Sequence, residues 1–277
     1  MIGDSDFRLS RDVCLISPIR DGEGFLASNV AHLRAQLQAI FKRVHIVIVE
    51  SDSSDRTVDQ CLHLRRNGLI SQFFSLGSIA DKHPFRSDRI AQARNFGLIQ
   101  AQHYFRVDFY AFADLDQLNL SLTSSGIASC FRYDSWNGFL CNQRGRYYDI
   151  WALRHPVWCP SDCWSDYSRL SRSIGPRLAR WMSVGARQIR IPVDSPPISV
   201  QSAFGGFGIY RADVCFPNWK GVDDSGRQVC EWVNFNKCIG EGLFINPAMT
   251  NEGPPEHYVS FDDEFYSSFN PTAAYKE

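Results

Sequence analysis

The chain has 277 residues, 44% of them hydrophobic, with 29 lysines and arginines against 30 aspartates and glutamates. That length suffices for one large α/β domain, and domains of this size bury about 75% of the surface their unfolded chain exposes, so no disulfide staple is needed. A net charge of −1 excludes the overall electrostatic footprint of a nucleic-acid-binding protein or of one steered to an acidic membrane, so partners must be recognised locally.

Nine cysteines, an odd number without a repeated Cys-x-x-Cys pattern, favour reduced thiols over a disulfide framework. Cys159 and Cys163 stand four apart, but no second Cys or His pair at ligand spacing follows, which argues against structural zinc. The first residues, with Asp4 and Asp6, lack the basic and apolar regions of a secretory signal. Apolar runs such as Ile46 to Val49 are far shorter than the ~20 residues of a membrane helix. A cytoplasmic protein without a transmembrane segment is the expectation.

In chain order, Val13 to Pro18 reads as a buried strand stopped by proline. Phe25 to Phe41 follows as an amphipathic helix, with Leu26, Val30, Leu33, Leu37 and Ile40 at helical spacing. His45 to Glu50 is a second strand, Ser51 to Asp55 a polar turn and helix cap, and Thr57 to Leu64 a helix. Phe73 to Leu76 gives a third strand, Arg89 to Tyr104 a helix, and Phe109 to Ala113 a fourth strand. Strands alternating with helices predict an α/β fold with a mostly parallel sheet, whose ligand crevice lies beyond the carboxyl ends of the strands. The second half is less regular and rich in Trp, Pro and Gly turns, with a polar, aromatic tail from Asp262.

Asp114 and Asp116 close the fourth strand. Residues i and i+2 at a strand end point the same way, so two carboxylates can face one hard cation, Mn²⁺ or Mg²⁺, which completes its shell with phosphate oxygens and water. Such an ion would neutralise a diphosphate leaving group. Asp-x-Asp alone is a weak signal, and its commonest reading is a solvated turn; the preceding apolar strand and the neighbouring motifs give it weight.

Those motifs are Ser17 to Glu23, Ile46 to Thr57, Arg89 to Leu98 and Ala113 to Asp116. In this order they resemble the first-strand loop, second strand and turn, pre-metal helix and metal motif of GT-A-fold, family 2-like glycosyltransferases. Tyr148 to Arg154 and Cys230 to Phe235 are similar to segments of capsule and polysaccharide glycosyltransferases. The chain departs from the pattern where Glu50-Ser51 replaces two adjacent acids and Glu231-Trp232 replaces Glu-His.

The resemblance implies a single GT-A-like domain over 1–277. Its nucleotide-sugar-binding half covers about 12–120, its acceptor-binding half about 121–261, and its tail 262–277. The implied activity is metal-dependent transfer of a sugar from a nucleotide-diphosphate donor to a glycan or other hydroxyl acceptor, as in polysaccharide biosynthesis. Pro18, Arg20, Glu50 and Asp52 would line the base and ribose pocket, Arg94 would reach the diphosphate, and Asn95 would bond the nucleotide or hold the Asp114 loop. Asp114, Leu115 and Asp116 form the metal motif, with His257 as an additional ligand. Glu231, in a helical segment beside Trp232, is the candidate base. Asp149 and Trp151 are candidates for contact with sugar or acceptor. Gly205 and Gly206 either pass beneath the sugar or make a tight bend. Trp136, Trp151, Trp158 and Trp164 offer aromatic surface, of which at most one is expected to touch carbohydrate.

Two other readings stay open. A nucleotidyltransferase on a similar sheet would release pyrophosphate, although the Gly-rich, Arg/Lys-bearing signature it needs after the first strand is missing. A non-catalytic nucleotide or carbohydrate module would bind without turnover.

Overall fold

The computed structural model describes residues 9–260. The tail from 262 lies outside the described residues. Strand β1 (Asp12–Ile19) leads to helix α1 (Leu26–Gln38), β2 (Arg43–Glu50), α2 (Thr57–Arg66), β3 (Gln72–Ser75), α3 (Arg86–Tyr104) and β4 (Phe109–Ala113). Then come α4 (Ser124–Ala128), β5 (Gly138–Gln143), α5 (Cys163–Ile174), α6 (Pro176–Ser183), β6 (Ile198–Ser199), β7 (Phe207–Arg211), α7 (Glu231–Ile239) and β8 (Leu243–Asn251).

The strands form one sheet in the order β3-β2-β1-β4-β7-β5-β8-β6. The first four are parallel, as the alternation of strand and helix predicts. Beyond β4 the sheet becomes mixed: β7 runs antiparallel to both β4 and β5, β8 is parallel to β5, and β6 is antiparallel to β8.

Both faces of the sheet are buried, and the period-2 alternation of the strands assigns each residue to one of two cores. Val13, Leu15, Ile46, Ile48 and Ala111 pack on the α1 and α2 side with Leu26, Val30, Leu33 and Cys61. Cys14, Ile16, Val47, Val49 and Phe112 pack on the opposite side with Ala91, Leu98, Trp219, Trp232 and Phe235. With the sheet clamped on both sides, the carboxyl ends of β1, β2 and β4 open along one edge. All nine cysteines are free thiols, seven of them buried. Among the described residues no helix is long and apolar enough to cross a membrane.

Candidate active site

Beyond β2, a cavity of about 720 Å³ is lined by Arg20, Glu50, Asp52, Ser75, Phe85 and Arg89, among others. Asp52 has φ 59°, a left-handed conformation that Asp tolerates because its short polar chain can bond locally. Its Oδ1 accepts the backbone N–H groups of Ile79 at 2.8 Å and Ala80 at 2.9 Å. Its Oδ2 is buried without a hydrogen-bond partner, 3.9 Å from Arg89 Nε. Arg89 supplies the charge opposite that oxygen, and the Asp52 side chain forms part of the cavity wall. The two oxygens of Glu50 accept Ser53 N–H and the Ser75 hydroxyl, so it shapes the turn.

A second cavity of about 350 Å³ joins the first through Arg20 and Arg89 and is lined by Pro18, Arg86, Asp114, Leu115 and Asp116. At the end of β4 the backbone is fixed from below. Asp114 N–H donates to Gly206 O at 2.9 Å, and the Asn119 amide donates to both Asp114 O and Gly206 O. Gly205 and Gly206 have φ of 71° and 86°, and a Cβ on Gly205 would stand 2.6 Å from Cys141 O. Both glycines are buried. The double glycine therefore makes the tight bend into β7 and positions Asp114.

Asp116 opens toward the cavities while Asp114 is half-buried. Leu115, between them, is buried in the α1-side core although it edges the cavity wall. Desolvation by the surrounding walls, then repulsion from Asp114, pushes the Asp116 carboxyl up to about 7. Desolvation also raises Asp114, opposed by Arg94 and Arg86.

Arg94, expected at the diphosphate, lines the third cavity with Asp114 and Asp116 and is turned onto carboxylates of the protein. It is only 2% exposed, donates to Asp114 Oδ1 at 2.9 Å and to Glu231 Oε1, and packs beside the stacked rings of Phe204 and Trp232, its guanidinium carbon 5.1 Å and 4.5 Å from their centres. Its planar fork is turned onto two carboxylates of the protein and cannot also clamp a phosphate. Asn95 likewise does neither of the two jobs foreseen. Its amide accepts Trp219 N–H at 2.8 Å and donates to Trp219 O at 3.0 Å, tying α3 to the segment before α7.

The second cavity is also faced, beside Arg20 and Arg89, by Arg86, a residue that the sequence motifs do not include. Helix α3 begins there, three residues before the expected start at Arg89. Arg86 is exposed, forms no ion pair with any carboxylate among the described residues, and lines both the second cavity and a third. The start of α3 is pinned because Ser87 Oγ donates to Gly221 O at 2.9 Å, and a Cβ on Gly221 would lie 2.2 Å from Asp88 N. Asp88 in the first turn was the available signal for the earlier start.

The third cavity, about 500 Å³, continues past Asp114 and Asp116 and is walled by Asp149, Trp151, Trp164, Glu231, Trp232 and His257. Glu231 is the first residue of α7, 7% exposed, held by Arg94. Asp149 accepts Gly205 N–H at 2.9 Å and Ala152 N–H at 3.3 Å, and burial pushes its carboxyl up to about 6. Of the four tryptophans considered, Trp151 and Trp164 reach the cavity, Trp136 is core, and Trp158 donates its indole N–H to Arg187 O.

His257 packs its ring 5.6 Å from that of Tyr148, and desolvation lowers its pKa, which leaves it neutral at pH 7. Among the described residues no group of three or more His, Cys, Asp or Glu is gathered to hold a metal ion. Asp114, Asp116 and His257 therefore do not form a preassembled three-ligand site. The carboxylate pair still suits a hard divalent ion: its donors are all oxygen, and a cation would relieve the repulsion that raises Asp116.

No protein-family model and no curated protein sequence matches the chain. Solved structures do. The mannosyltransferase PcManGT from Pyrobaculum calidifontis, in complex with GDP-Man and Mn²⁺, aligns at TM-score 0.50 and 11% identity, over 92% of this chain and 61% of that one. TarS 1-349 of S. aureus in complex with UDP-GlcNAc aligns at TM-score 0.46 and 14% identity, over 94% of this chain and 62% of that one. The glucosyl-3-phosphoglycerate synthase of Mycobacterium tuberculosis, in complex with Mn²⁺, UDP and glucosyl-3-phosphoglycerate, aligns at TM-score 0.36 and 11% identity, over 73% and 57%. This chain spans about three-fifths of the length of these solved chains. With its parallel first half, its antiparallel insertion of β7 and its flanking helices, the chain has the GT-A fold of glycosyltransferases.

Proposed function

We propose that the protein is a divalent-metal-dependent glycosyltransferase that moves a sugar from a nucleoside-diphosphate donor to a hydroxyl acceptor. The observation that carries this reading is that the three cavities adjoin in series through shared lining residues. Arg20 and Arg89 line the first and second, while Arg86, Ile90, Asp114 and Asp116 line the second and third. A base, a diphosphate and a sugar can lie end to end along such a trough.

In this reading Asp52, on the wall of the first cavity, faces the base, with Pro18 and Arg20 beside the ribose. Arg86 takes the diphosphate role first expected of Arg94. Asp116, with Asp114 behind it, would hold Mn²⁺ or Mg²⁺, and the bound ion supplies charge neutralisation to the leaving diphosphate. His257, neutral at the rim of the third cavity, is a further donor within the same trough.

The third cavity is the acceptor site, where Trp151 offers an apolar face to a sugar ring. Glu231 stays the proposed base: it stands at that cavity, and Arg94 fixes its orientation relative to Asp114. Asp149 is a second proton acceptor favoured by a specific observation, its carboxyl raised to about 6 on the same wall. Replacing each by its amide separates them, since loss of the base lowers kcat by roughly 10²–10⁴ while donor binding persists. The activity itself is tested by incubating the protein with a panel of nucleotide-sugars and Mn²⁺. Nucleoside diphosphate release that stops with a chelator supports the proposal. Pyrophosphate release from nucleoside triphosphates, or binding without any turnover, would replace it with a nucleotidyltransferase or a binding module.

A further inference from the structure

The near-zero net charge hides a local concentration. Between Val157 and Val193 lie six arginines and only two acids, Asp162 and Asp166. Both acids are already engaged, Asp162 with Arg154 and Asp166 with Arg169 and Arg187. Arg169, Arg172, Arg177 and Arg190 are all exposed.

The same segment holds five of the ten exposed large hydrophobic residues of the described chain. These are Val157 at 86% exposure, Ile174, Met182, Ile189 and Val193. Single exposed apolar residues are ordinary, but half of them within one short stretch are not.

Contacts join α5, α6 and the Val157 turn into one surface segment, and Ile189 and Arg190 follow directly after Arg187. Helices α5 and α6 pack on each other, Arg187 just after α6 is bound to Asp166 of α5, and the Val157 turn is attached where Trp158 Nε1 donates to Arg187 O at 2.7 Å. Cys163, Trp164, Arg180 and Val184 of this outcrop also wall the third cavity.

We propose that the α5–α6 outcrop is a docking surface for an anionic lipid bilayer. Arginines interleaved with exposed aliphatic side chains match the two components of an interfacial site, headgroup charge and acyl boundary. On the reading of the third cavity as an acceptor site, docking there would bring its mouth to the membrane surface. The binding claim itself needs no catalysis.

The test is co-sedimentation of the full chain with phosphatidylcholine vesicles and with vesicles containing about 30% phosphatidylglycerol, whose surface attraction is worth about fivefold in partitioning per arginine. Expected is binding to the anionic vesicles alone, weakened about 25-fold in R172Q/R190Q and also reduced in V157S/V193S, with unfolding curves unchanged. Absence of binding, equal binding to both vesicles, or indifference to both variants overturns the proposal. So does light scattering that shows a dimer dissociated by V157S/V193S, which would give the patch to a second copy of the chain.

Discussion

Replacing Arg94 with methionine keeps an unbranched apolar stem and removes the charge from the centre of the site. Arg94 is 2% exposed and bridges Asp114 at 2.9 Å and Glu231, so the substitution strands two carboxylates without their counter-charge. Breaking a buried pair by removing one partner costs about 3–5 kcal/mol. At roughly 2–4 °C per kcal/mol for a chain of this size, the melting temperature falls by roughly 6–20 °C.

The loss depends on pH in a defined direction. Arg94 is the largest influence lowering Asp114, so its removal pushes that carboxyl further above the unfolded value near ~3.9. A carboxyl with a raised folded pKa binds more protons in the native state, so its unfavourable contribution grows as pH rises and shrinks as pH falls. Differential scanning calorimetry of R94M against the parent at pH 5 and pH 8 should therefore show the smaller deficit at pH 5. A deficit below about 1 kcal/mol, or one equal at both pH values, would refute the argument that Arg94 is the counter-ion of the site.

Asp52→Asn keeps the shape and tolerates φ 59° but takes the opposite charge from buried Arg89, so the melting temperature should fall, and nucleoside diphosphate affinity should fall about 10–100-fold by calorimetry, the value of one charged hydrogen bond. Unchanged affinity would remove Asp52 from the base pocket. Asp149, raised to about 6, makes the parent lose stability between about pH 4 and pH 6 as the native state gives up its extra proton. Asp149→Asn should flatten that part of the melting-temperature profile, and an unaltered slope would contradict the assigned burial. Gly221→Ala drives a methyl group onto the backbone of Ser87 and Asp88, so it should lower both melting temperature and diphosphate affinity through displacement of Arg86. A loss of stability with affinity intact would separate Gly221 from the site.

The first half of the fold was legible because β1, β2 and β4 are buried on both faces and read as short apolar runs between turn signals, while α1 keeps a helical apolar stripe. The second half hid its strands. β6 has two residues, β7 follows a double glycine, and β8 contains Pro247 and pairs with β5 across a register shift. The start of α3 was read too late because Arg86-Ser87-Asp88 has no apolar periodicity and Phe85 provides no side-chain cap.

The aspartate pair could be placed from strand position and i, i+2 geometry alone. Arg94 could not, because its partner Glu231 is 137 residues away and only the fold brings them together. The exposed Arg86, three residues upstream of the expected helix, is the cation that the sequence order concealed.

Sugar transfer of this kind requires a cation and a nucleotide diphosphate to meet at Asp116, beside Arg86. Calorimetric titration of UDP and GDP into the parent and into Asp116→Asn, each with and without Mn²⁺, tests this most directly. One of the two nucleotides should bind the parent only when Mn²⁺ is present and should lose that metal-dependent affinity in the variant. Binding that ignores both the metal and the substitution, or no binding of either nucleotide, would contradict it.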